Sequence, residues 1–202
     1  MSDTLSLLDS IGPSALGSQE GNLYTKRTYD DYSTPDHYVT LVRHALGKHI
    51  ACDPASSDAD NEHIRAEVYY TAERSGLVGD WPSPVYLNPP SARRDEFLSR
   101  GAAEAERGAE MVVHLNLKHL CAAYAQPLLA HVRAVHIPRG RPAFLHPATR
   151  ERGESPTDGH AFLYVGPNAK RFLLVFGKDA GWTFAVTPAL VPKRKRIRAV
   201  IV

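Results

Sequence analysis

Apolar and polar positions along the 202-residue chain change rhythm about two-thirds of the way along it. In the first part, short apolar runs alternate with stretches of helical spacing. Tyr38, Leu41, Val42 and Ala45 recur every three or four residues, which predicts a helix. Thr34 is a good N-cap for it, Pro35 suits its first position, and Gly47 supplies a stop. Residues 48–52 (KHIAC) then read as a strand and 56–62 (SSDADNE) as loop. Residues 66–71 (AEVYYT) alternate like a strand, and 76–84 (GLVGDWPSP) are loop by their Gly and Pro content. Val85–Leu87 is a short apolar strand. Residues 92–107 predict a surface helix with Phe97 and Leu98 facing inward, and 111–116 (MVVHLN) a buried strand. Residues 118–131 predict a helix bent or broken at Pro127, and 133–137 (RAVHI) a further strand. Beyond this point the runs 142–145 (PAFL), 161–165 (AFLYV), 171–177 (RFLLVFG), 182–186 (WTFAV) and 197–202 (IRAVIV) read as successive strands between turns.

Strand–helix alternation followed by consecutive strands predicts an α/β domain, three-layer α/β/α, with a mixed sheet and antiparallel C-terminal strands. Residues 1–28 show no lasting periodicity and read as a flexible arm. Residues 29–192 are the expected domain, and 193–202 a basic tail or edge strand. A chain with 43% hydrophobic and 23% charged residues is neither disordered, collagen-like nor a coiled coil. No window approaches the roughly 18 apolar residues of a membrane helix. The first ten residues carry no basic segment ahead of an apolar core, so the expected location is cytoplasmic. Cys52 and Cys121 lie in apolar stretches and read as buried free thiols.

The net charge of +2 hides an asymmetry. Lys193, Arg194, Lys195, Arg196 and Arg198 hold five of the 24 basic residues, and the rest of the chain is net −3. Such a cluster can neutralise phosphate and release its counterions, or simply keep the tail solvated.

Three motifs carry candidate chemistry. Asn88-Pro89-Pro90-Ser91 follows an apolar strand, and its prolines force the chain out of the sheet. In open α/β sheets ligands sit at that carboxyl edge. There Asn88 and the prolyl carbonyls offer acceptors that could hold the two N–H groups of an exocyclic amine and direct its lone pair. The same residues also suit a plain Asn-Pro turn. Asp53-Pro54-Ala55-Ser56 is again a strand end, with an acidic acceptor and small residues that let a ligand approach the backbone. Tyr32-Ser33-Thr34-Pro35 places a ring before a helix N-terminus, whose free N–H groups favour a carboxylate. Ten histidines form no HExxH pattern and there is no CxxC, so no metal is expected. The absence of a Gly-x-Ser-x-Gly elbow argues against a serine hydrolase.

Taken in order, Tyr-x-Thr-Pro, Asp-Pro-Ala-Ser and Asn-Pro-Pro-x resemble the Dam-type DNA N6-adenine methyltransferases of phages and prophages. Tyr69-Tyr70-Thr71, Gly76-Leu77, Trp81 and Arg139-Gly140-Arg141 followed by Phe144 continue the likeness over residues 30–165 or so. The resemblance implies a Rossmann-like methyltransferase fold, S-adenosylmethionine as cofactor and DNA as partner. By the same likeness, Tyr32, Thr34 and Pro35 lie near the cofactor's methionine part, and Asp53 and Ala55 border its cleft. Asn88, which also borders the cofactor, and Pro89 bind the amine of a flipped adenine, with Pro90 and Ser91 completing the motif. Arg93, Arg94, Arg139, Arg141 and the tail residues Lys193 to Arg196 are candidates for DNA backbone contact. Glu67 and Asp80 are the acidic candidates for the ribose hydroxyls. The chain departs from the family at Ser91, where a Tyr or Phe normally stacks on the base; Tyr86 and Phe97 are the nearest rings in sequence. It also lacks a Gly-x-Gly loop near residue 53 and has room for only one strand between Asp53 and Asn88. These departures keep two other readings open: a non-catalytic DNA-binding protein, and an enzyme modifying another base or adding another group; a plain structural or interaction protein is the third alternative.

Overall fold

The structure, a computed structural model, describes residues 33–146, 149–153 and 158–187. The expected N-terminal arm, Tyr32, the strand 197–202 and the basic residues Lys193, Arg194, Lys195, Arg196 and Arg198 lie outside the described residues.

Seven strands form one mixed sheet: β1 (Cys52–Asp53), β2 (Val68–Tyr69), β3 (Val85–Leu87), β4 (Met111–Asn116), β5 (Val132–Pro138), β6 (His160–Val165) and β7 (Gly181–Ala185). Their order is β2-β1-β3-β4-β6-β5-β7. The first four are mutually parallel, and β6, β5 and β7 add on antiparallel. The helices are α1 (Asp36–Ala45), α2 (Asp58–Ile64), α3 (Arg94–Glu106), the single turn α4 (Gln126–Leu129) and α5 (Ala169–Phe176).

Alternation along the strands sends side chains to two cores. Val85, Leu87, Met111, Val113 and Leu163 meet Phe97, Leu98 and Ala102 of α3 and Leu128 of α4. Tyr86, Val112, Phe162 and Tyr164 meet Tyr38 and Val42 of α1, Ile64 of α2, and Phe172 and Phe176 of α5. Helices therefore cover both faces, and β3 and β4, buried on both sides, read in the sequence as mainly apolar runs, interrupted in β4 by His114.

Six local expectations are corrected. Pro35, not Thr34, occupies the N-cap position of α1, with φ −56° and ψ 140°; Thr34 is instead drawn into the interior. Gly47, at φ +85°, ends that helix as its spacing predicts. Residues 56–62 are not loop: Ser57 caps α2, its hydroxyl accepting the Asp60 N–H at 3.1 Å. Residues 171–177 belong to a helix, because Phe172 and Phe176, four apart, turn to the same core while Leu174 stays 62% exposed. The stretch 118–131 breaks into 3₁₀ turns and the short α4, which Pro127 starts and does not bend. Residues 142–145 make no strand, only a single bridge from Leu145 to Ser33 and another to Arg152. Cys52 is buried, but Cys121 is exposed.

Candidate active site

From β1 the chain passes through α2 to β2, at the sheet's edge, then returns across β1 to enter β3. Helix α2 packs on one face of the sheet and α3, after β3, on the other. The carboxyl ends of the neighbours β1 and β3 thus diverge to opposite faces, which opens a crevice between them. Asp53 and Asn88 stand at those two ends.

The crevice is a cleft of about 460 Å³, within the usual range for small-molecule sites. Ala55, Asn88, Pro89, Pro90, Ser91 and Arg94 all line it, so the β1 turn and the Asn-Pro-Pro motif meet there. Pro90 begins a 3₁₀ turn over Ser91–Arg93, its carbonyl accepting the Arg93 N–H at 3.3 Å. Only one of the two prolyl carbonyls is therefore open: that of Pro89 receives no hydrogen bond from the described residues, and neither does the half-buried Asn88 side chain make one. Ser91 Oγ accepts from Arg94 Nη2 at 2.9 Å, which holds the guanidinium against the cleft wall. Arg93 turns away and pairs with Glu96 at 2.8 Å on the surface.

Asp53 sits behind Ala55 and does not line the cleft. Its side chain is 1% exposed and its Oδ1 accepts the Ala55 N–H at 3.1 Å. Burial pushes its carboxyl up to about 7, with the Ala55 N–H opposing and the nearby Asp60 adding. The turn is fixed from outside by Gly76: a Cβ there would lie 2.1 Å from the Pro54 carbonyl oxygen, so only glycine lets this loop close over residue 54. The Gly76 carbonyl also receives the buried Trp81 indole N–H at 2.7 Å. Thr34 is buried beside the cleft, its hydroxyl 2.8 Å from Tyr86 Oη and 3.5 Å from His114 Nδ1. Pro35 is buried next to it.

Several cleft residues were not anticipated. Asp60 lines the β1 side, held by the hydroxyls of Ser33 and Ser57. The pattern Ser57-x-x-Asp60 is a capping box and could have disclosed both the helix and the acid. From β4, β6 and the segments beside them come His114, Asn116, Lys118, His119, Asp158 and His160, with Phe144 from the loop after β5. Lys118 and Asp158 pair at 2.7 Å. Burial lowers the basicity of all three histidines: His114 lies well below the ordinary value, His160 falls to about 4, and His119 is lowered with help from Arg94 and Lys118. Near neutral pH the cleft thus offers uncharged imidazoles. Among the described residues no group of three His, Cys, Asp or Glu is placed to hold a metal.

Other candidates fall elsewhere. Tyr86 and Phe97 are buried in opposite cores and do not reach the cleft. Glu67 precedes β2 and so lies at the amino edge of the parallel strands; Asp80 is exposed in the following loop. Arg139 and Arg141 follow β5 and are exposed. The end of β5 shares the cleft's edge of the sheet, because β6 runs back between it and β4. Three strand spacings, roughly 14 Å, separate β3 from β5. Arg139 borders a more open hollow of about 560 Å³ with Ile137 and Trp182, in which it is the one charged group among the described residues; the reactive groups belong to the other cleft.

No helix among the described residues is long and apolar enough to cross a membrane. Among curated proteins, none matches the chain. A family model, DNA N-6-adenine-methyltransferase (Dam), matches residues 22–175, which span the Asp53 turn, the Asn-Pro-Pro motif and most of the cleft.

Proposed function

Because the chain belongs to the Dam family of DNA N-6-adenine-methyltransferases, we propose that it uses S-adenosylmethionine to methylate the N6 amine of an adenine flipped out of DNA. The observation that carries this reading is the union of Asn88 and Pro89 with Ala55 and Asp60 in one cleft at the crossover of the sheet. On this reading the sheet is a Rossmann-like methyltransferase core, shortened to a single strand, β2, beyond β1.

The residues suit the cofactor. Ala55 leaves the backbone approachable, and Asp60 supplies a carboxylate toward cationic groups on the β1 side. S-adenosylmethionine supplies an electrophilic methyl group when bound. Asn88 Oδ1 and the Pro89 carbonyl each accept one N–H of the adenine amine and turn its lone pair toward that methyl. Within a duplex the amine is inaccessible, so the base must leave the stack. The rate gain then comes from orientation and from acceptors already in place. Arg94 on the rim, Arg139 and Arg141 across the same edge, and the basic residues 193–196 would meet the DNA backbone.

The test is Asn88→Ala, assayed on DNA free of N6-methyladenine by nucleoside mass spectrometry. Methyladenine formation should fall at least about 100-fold, the loss of one preorganised polar contact in a transition state. Calorimetric binding of S-adenosylmethionine and the unfolding midpoint should change little, because Asn88 is half-buried and bonds to no described residue. Undiminished methylation by this variant refutes the site.

A further inference from the structure

We propose that Phe144 is the ring on which the flipped base stacks, in place of the aromatic residue that Ser91 does not provide. The inference rests on the reading of the cleft as a base-modifying site. Ser91 offers only a hydroxyl, and Arg94 engages it at 2.9 Å. Among the described residues that line the cleft, Phe144 is the one Phe, Tyr or Trp.

Its setting is that of a stacking platform. Phe162, His114 and Phe144 form a column of near-parallel rings: Phe162 to His114 is 4.3 Å at 13°, and His114 to Phe144 is 5.5 Å at 6°. Phe162 is fully buried, His114 is 1% exposed, and Phe144 is partly exposed, so the column rises from the core and ends in the cleft. A base laid on Phe144 continues it. The buried, uncharged imidazole beneath keeps the stack neutral.

The ring is also held in advance. Leu145 exchanges backbone hydrogen bonds with Ser33 at 2.7 and 2.9 Å, and the Phe144 carbonyl accepts the Gly153 N–H at 2.8 Å. His160 packs obliquely on its side at 5.0 Å. A ring fixed on both strands of a clamp loses little freedom when a base arrives.

Three variants of the full chain test this: Phe144→Ala, Phe144→Leu and Phe144→Tyr, each also combined with Ser91→Tyr. A base–aromatic stack corresponds to about five- to 140-fold. Phe144→Ala should lower kcat/KM for DNA methylation by that factor. Phe144→Leu, which keeps the bulk, should lower it nearly as far, and Phe144→Tyr should retain it. Affinity for S-adenosylmethionine should not change. Ser91→Tyr should restore activity to Phe144→Ala, which repair of a merely structural loss would not do. Full activity in Phe144→Leu, or no rescue by Ser91→Tyr, overturns the assignment.

Photocrosslinking with single-stranded DNA containing 8-azidoadenine gives a readout without turnover. Adducts should fall on the peptide carrying Phe144 and disappear in Phe144→Ala; adducts confined to other peptides overturn the assignment. If the wild-type protein forms the Phe144 adduct but no methyladenine, the proposed reaction fails and the base-binding ring stands.

Discussion

Replacing Asp53 by Asn removes a charge that the fold holds at a cost. The carboxyl is 1% exposed, and burial pushes it from 3.8 to about 7 against the opposing hydrogen bonds of the Ala55 N–H and the Ser56 side chain. The folded state therefore keeps the proton more tightly than the unfolded chain does. For an acid with a raised value, the contribution to stability is neutral below about pH 3.8. It becomes unfavourable as pH rises, and it is complete above about pH 7. At about 1.4 kcal/mol per decade, the penalty is about 2 kcal/mol at pH 5 and about 4 kcal/mol at pH 8. Asn keeps an oxygen for the Ala55 N–H and does not ionise.

Asp53→Asn should therefore gain on the wild type by about 2–3 kcal/mol between pH 5 and pH 8. Urea unfolding at the two pH values, followed through the fluorescence of the buried Trp81, measures the difference. Comparing the two proteins at each pH cancels the histidines and surface carboxylates that titrate in both. An equal wild-type-to-variant difference at pH 5 and pH 8 refutes the claim that burial holds this carboxyl near 7. The cost has a functional counterpart: a charge kept under the backbone of Ala55 lies beneath the surface the cofactor is proposed to touch. Loss of cofactor affinity with gain of stability is the expected exchange at such a position.

Thr34→Val strands the buried Tyr86 hydroxyl, whose partner is 2.8 Å away. It should cost about 1–3 kcal/mol in denaturant unfolding, and adding Tyr86→Phe should recover most of that loss; a fully additive pair of losses would show that the two hydroxyls do not interact. If Arg139 and Arg141 each neutralise one phosphate, replacing both by Ala should lower the slope of log affinity against log salt by about 1.8, measured by DNA titration at several salt concentrations. An unchanged slope would remove the β5 end from the DNA surface.

How much of this could be read from the chain depended on how local each feature is. Val85–Leu87 and Met111–Asn116 were legible because strands buried on both faces are mostly apolar on both; the exceptions in the second, His114 and Asn116, line the cleft. The Asn-Pro-Pro motif was legible because proline cannot continue a central strand, so the sheet must end there. Helix α2 was not, because it buries a single residue, Ile64, and shows no apolar stripe; its signal was the polar capping pair Ser57 and Asp60. Helix α5 reads as strand because Phe, Leu and Val suit both states, although Phe172 and Phe176 four apart mark the helix. The far wall of the cleft had no local signature at all. His160 reaches Asn116 only through the antiparallel pairing of β4 with β6, across 44 positions, and Phe144 reaches His114 only after β5 has crossed to the other side of β6.

That far wall bears on what the proposed chemistry needs. Adenine's amine is a poor base, since its lone pair is drawn into the ring, and no group has to deprotonate it before the methyl arrives. In the proposed transfer the C–N bond would form as the C–S bond broke, and only then would the nitrogen carry a proton acidic enough to leave. Two neutral acceptors at Asn88 and Pro89 would fit that order, because they could hold both N–H bonds throughout and pass one proton outward at the end. Near neutral pH His114 and His160 add no charge to the cleft, because burial keeps them unprotonated. The Lys118 ammonium is paired with Asp158, while the Arg94 guanidinium keeps its charge as it donates to the Ser91 hydroxyl. An amide at position 88 and uncharged rings beneath Phe144 thus suit the proposed transfer, in which the amine would meet a cationic methyl donor among oriented dipoles, with the Asp60 carboxylate on the β1 side of the cleft.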